Sequence, residues 1–301
     1  MSIYITTEAT ADYPDNLLAD NMAIIPMGYS VNGVAYDGCT QKLTPKQFYD
    51  VCRNAKSKED LPQTAMVTAY AAQEFFRPLL EAGHDIVHIG FASALSGTLD
   101  QLNAAARELR EQFPDRKIAV IDSRCACFVE GLLVYHTMLK RNEGASFDEL
   151  VAYAEQLRDQ CIGYFVVDDL KHLMRTGRTS RAAAYIGEAL QIKPLLYINR
   201  EGQLVPIAKA ISRKKAIRTL VSYFTQKALP LENQPLVAVG HADCPDDAQA
   251  LVELLRNEYG VANTIVFDVG PVIGTHVGAG MLALVALGKD KIESNDPAYK
   301  A

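Results

Sequence analysis

Short apolar runs alternate with longer amphipathic stretches through the first half of the chain. Ile3–Thr6, Ala23–Met27, Asp85–Phe91 and Lys117–Ile121 read as strands, and Ala69–Ala82, Thr98–Gln112, Val129–Arg141 and Phe147–Gln160 as helices. In Thr98–Gln112, Leu102, Ala105, Ala106 and Leu109 share one face, while Arg107, Glu108, Arg110 and Glu111 fall mostly on the other. Strands alternating with helices of about ten to fifteen residues imply βαβ units and a parallel sheet. Ile86-Val87-His88-Ile89 shows no clean alternation, as expected of a strand covered on both faces. The first half is therefore expected to be a three-layer α/β/α unit.

The second half has a different texture. Ile162–Val167, Pro194–Ile198, Leu236–Val239 and Thr264–Val269 read as strands, and Glu201-Gly202 as a turn into a short strand, Gln203–Ile207. A hairpin among crossover strands predicts a mixed sheet. The expected organisation is an α/β protein of two domains, 1–160 with a parallel sheet and 161–301 with a mixed one. No period of about 20–50 residues marks a repeat array.

Composition narrows the function classes. With 49% hydrophobic and 22% charged residues in 301, the chain is an ordinary globular one. A net charge of −6 lacks the global electrostatic footprint of a nucleic-acid binder. The start, Met1-Ser2-Ile3-Tyr4-Ile5-Thr6 followed by Glu8 and Asp12, has neither the basic nor the apolar region of a signal peptide. Val269–Gly288 contains no Asp, Glu, Lys or Arg, but its unbroken apolar part is only Met281–Leu287, far short of the ~20 residues of a membrane span. It reads as a buried strand, a glycine loop and a buried helix. The six cysteines (Cys39, Cys52, Cys125, Cys127, Cys161, Cys244) form no metal-ligand spacing. Reduced thiols and a cytoplasmic location are expected, with no metal and no cofactor.

Three glycine-flanked polar clusters carry candidate chemistry. Ser93-Ala94-Leu95-Ser96-Gly97-Thr98 joins a strand to a helix. Its hydroxyls and free amides either bind an anion at the helix start or simply cap the helix. Gly270-Pro271-Val272-Ile273-Gly274-Thr275-His276-Val277-Gly278-Ala279-Gly280 combines an imidazole, a hydroxyl and glycines. It is either a ligand-approaching loop or a tight packing turn. Arg175-Thr176-Gly177-Arg178-Thr179-Ser180-Arg181 either clamps a phosphate or pairs with Asp168 and Asp169. It lacks the Gly-Lys-Ser/Thr ending of a P-loop. A basic run, Lys209, Arg213, Lys214, Lys215 and Arg218, is either a solvated helix face or a patch for an acidic or phosphorylated partner.

Together these segments resemble the DegV family of bacterial fatty-acid-binding proteins, over essentially the whole chain. Thr7-Glu8-Ala9-Thr10-Ala11-Asp12-Tyr13-Pro14 is similar to the family's opening T-D-S-T-A-D-L-P, and Ile24-Ile25-Pro26-Met27 follows. Thr64 stands at the threonine of T-S-Q-P-S, and Leu95-Ser96-Gly97-Thr98 is the most recognisable motif, with Ile121-Asp122-Ser123 after it. Asp169-Leu170, Leu173 and Gly177-Arg178 match D-L-x-x-L-x-x-x-G-R, followed by Ile192-Lys193-Pro194. The Gly270–Gly280 segment matches G-P-V-I-G-x-H-x-G-P-G.

The resemblance implies two α/β domains with one long-chain fatty acid between them, its carboxylate at Thr64, Ser96 and His276. Gly97, Thr98, Thr275 and Gly278 would support those loops. It also implies a partner kinase that converts the bound acid to an acyl phosphate, with Arg178, Lys209 and Arg213 as candidate partner or phosphate contacts. The chain itself would then be a monomeric, non-catalytic binding protein. Several positions depart from the pattern: Glu8-Ala9 for Asp-Ser, Ala65-Met66-Val67 for Ser-Gln-Pro, Ala279 for proline, and Ile211 where many members carry an arginine of the kinase contact. Three alternatives follow: a stand-alone lipid carrier, a structural interaction module that leaves Thr64, Ser96 and His276 idle, and a Ser96/His276 hydrolase. The hydrolase lacks a Gly-x-Ser-x-Gly elbow and a third residue.

Overall fold

The computed structural model describes residues 2–38, 41–168, 170–178 and 192–291. Cys39, Asp169, Thr179, Ser180 and Arg181, named above, lie outside the described residues. In chain order the first half forms β1 (Ile3–Glu8), β2 (Met22–Ile25), β3 (Tyr29–Val31), β4 (Val34–Tyr36), α1 (Pro45–Asn54), β5 (Gln63–Thr64), α2 (Ala69–Glu81), β6 (Asp85–Gly90), α3 (Thr98–Gln112), β7 (Ile118–Asp122), α4 (Phe128–Asn142) and α5 (Phe147–Leu157). The second half adds β8 (Cys161–Val166), α6 (Leu170–Arg175), β9 (Lys193–Ile198), β10 (Leu204–Ala210), α7 (Arg213–Lys227), β11 (Val237–His241), α8 (Pro245–Tyr259), β12 (Thr264–Asp268), α9 (Pro271–Val277) and β13 (Leu282–Leu287).

The first sheet, β2-β1-β6-β7, is parallel throughout. Successive residues of β6 explain why its apolar positions do not alternate. Ile86 packs with Phe76, Leu102 and Leu109 of α2 and α3, whereas Val87 and Ile89 pack with Leu132, Leu133 and Leu150 of α4 and α5. Each face is covered by a helical layer, so both parities must be apolar.

The second sheet, β10-β9-β8-β13-β11-β12, is mixed: only the β11–β12 pair is parallel. Tyr164, Leu195, Val239 and Leu284 pack with Leu220 of α7 and Leu251 of α8. Phe165, Leu196, Ala238 and Val285 face the other way, into the same core as Leu132 and Leu133. Helix α4 is thus enclosed between the two sheets and touches β1, β6, β8 and β13. That position accounts for a helix buried on nearly every side, from Phe128 to Met138. A small antiparallel sheet, β4-β3-β5, and α1 complete the fold. Helix α1 is opened by a Thr44/Gln47 capping box.

The expected buried helix at Met281–Leu287 is corrected: Leu282–Leu287 is the strand β13, and the helix, α9, precedes the glycines. All six residues of β13 are buried, because helices or the opposite sheet cover both faces. An apolar run with no alternation leaves helix and strand indistinguishable by period, and its length favours a strand. Gly278 (φ 74°) and Gly280 (φ 81°) make the break between the two elements.

Candidate functional site

Two loops and a two-residue strand bring the candidate side chains together. β5 pairs with β3, placing Thr64 opposite Tyr29. Helix α9 begins at Pro271, whose missing N–H costs nothing in the first turn, and it carries His276. The helix is pinned at its entry: Tyr49 Oη donates to the Val269 carbonyl at 2.6 Å, and Gly270 N donates to Asp12 Oδ1 at 2.9 Å. Thr64 Oγ1 lies 3.1 Å from His276 Nε2. His276 Nδ1 is enclosed and has no hydrogen-bond partner among the described residues. Burial, helped by the nearby charges of Arg178 and His172, pushes the imidazole down to about 3, so the ring is neutral near pH 7.

Ser96 sits in the loop between β6 and α3. Its Oγ accepts from Thr98 N at 3.2 Å and donates to Thr98 Oγ1 at 3.0 Å. The hydroxyl therefore satisfies an orphan donor at the helix start, where Gly97 is the N-cap and has no side chain to offer. A side chain at Gly97 would meet Met66 Sδ at 3.2 Å. Thr275 is occupied within the fold, its hydroxyl donating to the Pro271 carbonyl at 2.8 Å and its carbonyl accepting from His172 Nε2 at 2.8 Å. Gly278 passes so close to the His172 ring that a Cβ would lie 2.9 Å from it.

Thr64, Ser96, Arg178 and His276 all line an inner pocket of about 920 Å³, its opening included. The rest of its wall is mostly apolar and comes from both halves of the chain, including Met27, Phe91, Ile198, Ile273 and Val285. Thr64, Arg178 and His276 also line a second, outer pocket of about 940 Å³ with its opening, beside Lys58, Glu59, Arg175 and Thr275. Three residues thus form a partition with an apolar chamber on one side and a polar vestibule on the other. Such a partition suits an elongated apolar group whose acceptor-only head reaches the hydroxyls and imidazole.

Two candidates from the sequence lie elsewhere. Arg213 is tied to Asp247 (Nε–Oδ2 2.8 Å) and Asp168 (3.4 Å), and lines neither pocket. Lys209, on β10 opposite Pro194, is also outside both. Asp168 pairs with Lys193 at 2.8 Å as well.

The sequence reading missed a group of buried acids beneath the inner pocket. Glu130 of α4 accepts from Thr7 Oγ1 (2.8 Å) and from Thr10 Oγ1 (3.1 and 3.2 Å). Burial first, then the neighbouring Glu8 charge, holds it well above the usual carboxylate range. Glu8 Oε2 accepts from Phe91 N at 3.0 Å. Burial raises Asp12 to about 7, against the lowering effect of the Cys127 thiol and the Gly270 N–H. The available signal was acids placed directly after a buried strand, at the carboxyl end of a parallel sheet.

A parallel α/β unit joined through a shared helix to a mixed sheet, with a pocket lined from both, defines a two-sheet α/β fold. Residues 2–289 match the model of the DegV family, described as uncharacterised proteins, and the chain belongs to that family. A DegV domain-containing protein of Clostridium perfringens is 36% identical over 289 residues, 95% of this chain and 98% of the relative. DegV of Bacillus subtilis, a fatty acid binding protein, has a crystal structure that superposes with a TM-score of 0.79 at 27% identity, over 96% of this chain and 100% of that one. The fatty acid kinase B3 protein of Streptococcus pneumoniae, solved with linoleic acid, shares the fold (TM-score 0.82, 18% identity, 96% and 100% coverage). Among the described residues no helix is long and apolar enough to cross a membrane.

Proposed function

We propose that this protein binds one long-chain fatty acid between its halves 1–160 and 161–301, with the tail in the inner pocket and the carboxylate at Thr64, Ser96 and His276. The observation that carries the reading is the Thr64–His276 pair, set where an apolar chamber meets a polar opening. The fatty acid binding of the Bacillus subtilis relative supports the ligand class.

The chemistry is consistent. A carboxylate only accepts, and the partition supplies hydroxyl donors, a ring N–H and the Arg178 charge. Charge-assisted hydrogen bonds contribute about 1.5–3 kcal/mol each. Burying ~16 methylenes at about 0.8 kcal/mol each amounts to on the order of 13 kcal/mol before ordering costs. The tail therefore sets affinity, and the head sets orientation.

In this reading the chain presents its acid to a partner kinase for acyl phosphate formation and does not itself catalyse. His276 bonds Thr64, and Ser96 bonds Thr98, so the Ser96/His276 pair required of a hydrolase is not made. One observation favours a carrier without a kinase: Ile211, 70% exposed, stands in the basic run where the family pattern has an arginine. Native mass spectrometry of the freshly purified protein, with solvent extraction, tests the ligand. A stoichiometric fatty acid adduct is expected, and an unchanged apo mass after adding several fatty acids overturns the reading. Pull-down of a fatty acid kinase by this chain, compared with Ile211→Arg, separates the two versions.

A further inference from the structure

The turn after β1 carries a carboxylate at each end, and each accepts the backbone N–H that opens one of the two site loops. Glu8 Oε2 takes Phe91 N at 3.0 Å, at the start of the loop that bears Ser96. Asp12 Oδ1 takes Gly270 N at 2.9 Å, at the N-cap of the helix that bears His276. These loops leave different sheets: Phe91 follows β6 and Gly270 follows β12. Between the two acids, Thr10 lines the inner pocket and donates to Glu130 of the helix shared by both sheets.

We propose that residues 8–12 form a brace in which Glu8 and Asp12 are positioning residues, fixing the spacing between Ser96 and His276 across the two sheets. This rests on the carboxylate reading of the site. Three further features fit a brace. Asp12 adopts a left-handed conformation (φ 45°, ψ 44°), which non-glycine residues take at a cost that surrounding structure must offset. Gly270 has an ordinary φ of −71°, yet a Cβ there would lie 2.6 Å from Asp12 Oδ1. The absent side chain at Gly270 is thus the space that Asp12 fills. Glu8 is fully buried, a costly place for a carboxylate unless its hydrogen bonds are needed.

The test uses the full chain, with two readouts: the His276 Cε1–Hε1 resonance in the ligand-free protein, and affinity for a fluorescent long-chain fatty acid. Asp12→Gly keeps the left-handed backbone and removes the acceptor. It is expected to move the His276 resonance and to weaken binding about tenfold, the scale of one lost charge-assisted hydrogen bond transmitted to the ligand. Asp12→Asn, which tolerates the same backbone and still accepts from Gly270 N, restores both readouts. In a His276→Ala background Asp12→Gly has less than about a twofold effect, because the group it positions is gone. Gly270→Ala reproduces the Asp12→Gly defect alone and adds nothing to it in combination. At the other end, Glu8→Leu weakens binding, Glu8→Gln restores it, and the Glu8→Leu effect disappears in Ser96→Ala.

Equal losses with and without His276, or an unmoved His276 resonance in Asp12→Gly, overturn the brace. If the wild-type protein binds no fatty acid, the carboxylate reading fails, and the His276 resonance still decides whether the turn positions that side chain.

Discussion

The inner and outer pockets share Thr64, Arg178 and His276 and differ in the rest of their walls. The inner wall is mostly apolar and drawn from both sheets, their helices and the loops beside them, with Phe165, Val285, Ile273 and Phe91 among its residues. The outer wall carries the exposed charges of Lys58, Glu59 and Arg175. Wall polarity is what distinguishes them. Because Thr64, Arg178 and His276 belong to both pockets, a ligand that uses them meets an apolar wall on one side and charged side chains on the other.

Five substitutions sharpen or break this contrast. The largest effect is expected from filling the inner chamber. Ala126→Phe, at a buried lining position, should lower fatty acid retention by about 100-fold or more, since displaced methylenes each cost about 0.8 kcal/mol. Retention equal to wild type in native mass spectrometry would show that the tail lies elsewhere. Next, His276→Ala should weaken binding by roughly 10- to 100-fold, the equivalent of about 1.5–3 kcal/mol, with the melting temperature nearly unchanged. A large loss of stability with little loss of affinity would reassign His276 to packing.

A smaller effect concerns the acids under the partition. Asp12 is raised from 3.8 to about 7 in the folded protein, so the folded state binds its proton more tightly than the unfolded state does. The stability this contributes is complete below about pH 4 and is lost as pH rises through about 7. Asp12→Asn should flatten that part of the melting-temperature profile, and identical wild-type and variant slopes between those values would place the titration elsewhere. Smallest of all, Lys58→Ala and Arg175→Ala in the outer vestibule should change affinity less than about threefold, and less still in high salt, because exposed charges are screened. A salt-insensitive tenfold loss would move part of the head group outward.

Much of the fold was legible because its period was legible. Thr98–Gln112 is helical over the expected residues, the strand expected at 85–91 is one residue shorter, and that expected at 162–167 is shifted by one. What failed was period itself: Leu282–Leu287, covered on both faces, carries none. The two-residue β5 is too short to show any, so Thr64 came only through family resemblance. Ser96 and His276 were visible as polar residues in glycine-flanked turns, although the capping role of Ser96 and its place in the pocket wall prove compatible. Glu8 and Asp12 stood out by their place after a buried strand, but their partners did not. Their importance lies in backbone N–H groups 83 and 258 residues away, and no local pattern encodes such a partner. Arg213, a candidate partner or phosphate contact in the sequence, pairs with Asp247 and Asp168, residues 34 and 45 positions away that no local pattern couples to it.

The placement of β13 has a consequence for biosynthesis. It is the last strand among the described residues yet lies inside the second sheet, between β8 and β11. The strands of the parallel sheet, residues 3–122, can assemble while the rest of the chain is still being made. β8 must wait for a neighbour that emerges more than a hundred residues later, with its edge open to other chains meanwhile. A ribosome stalled or a protease cutting just before Leu282 would therefore leave two unpaired interior edges, and the expected fate of such a fragment is aggregation or degradation.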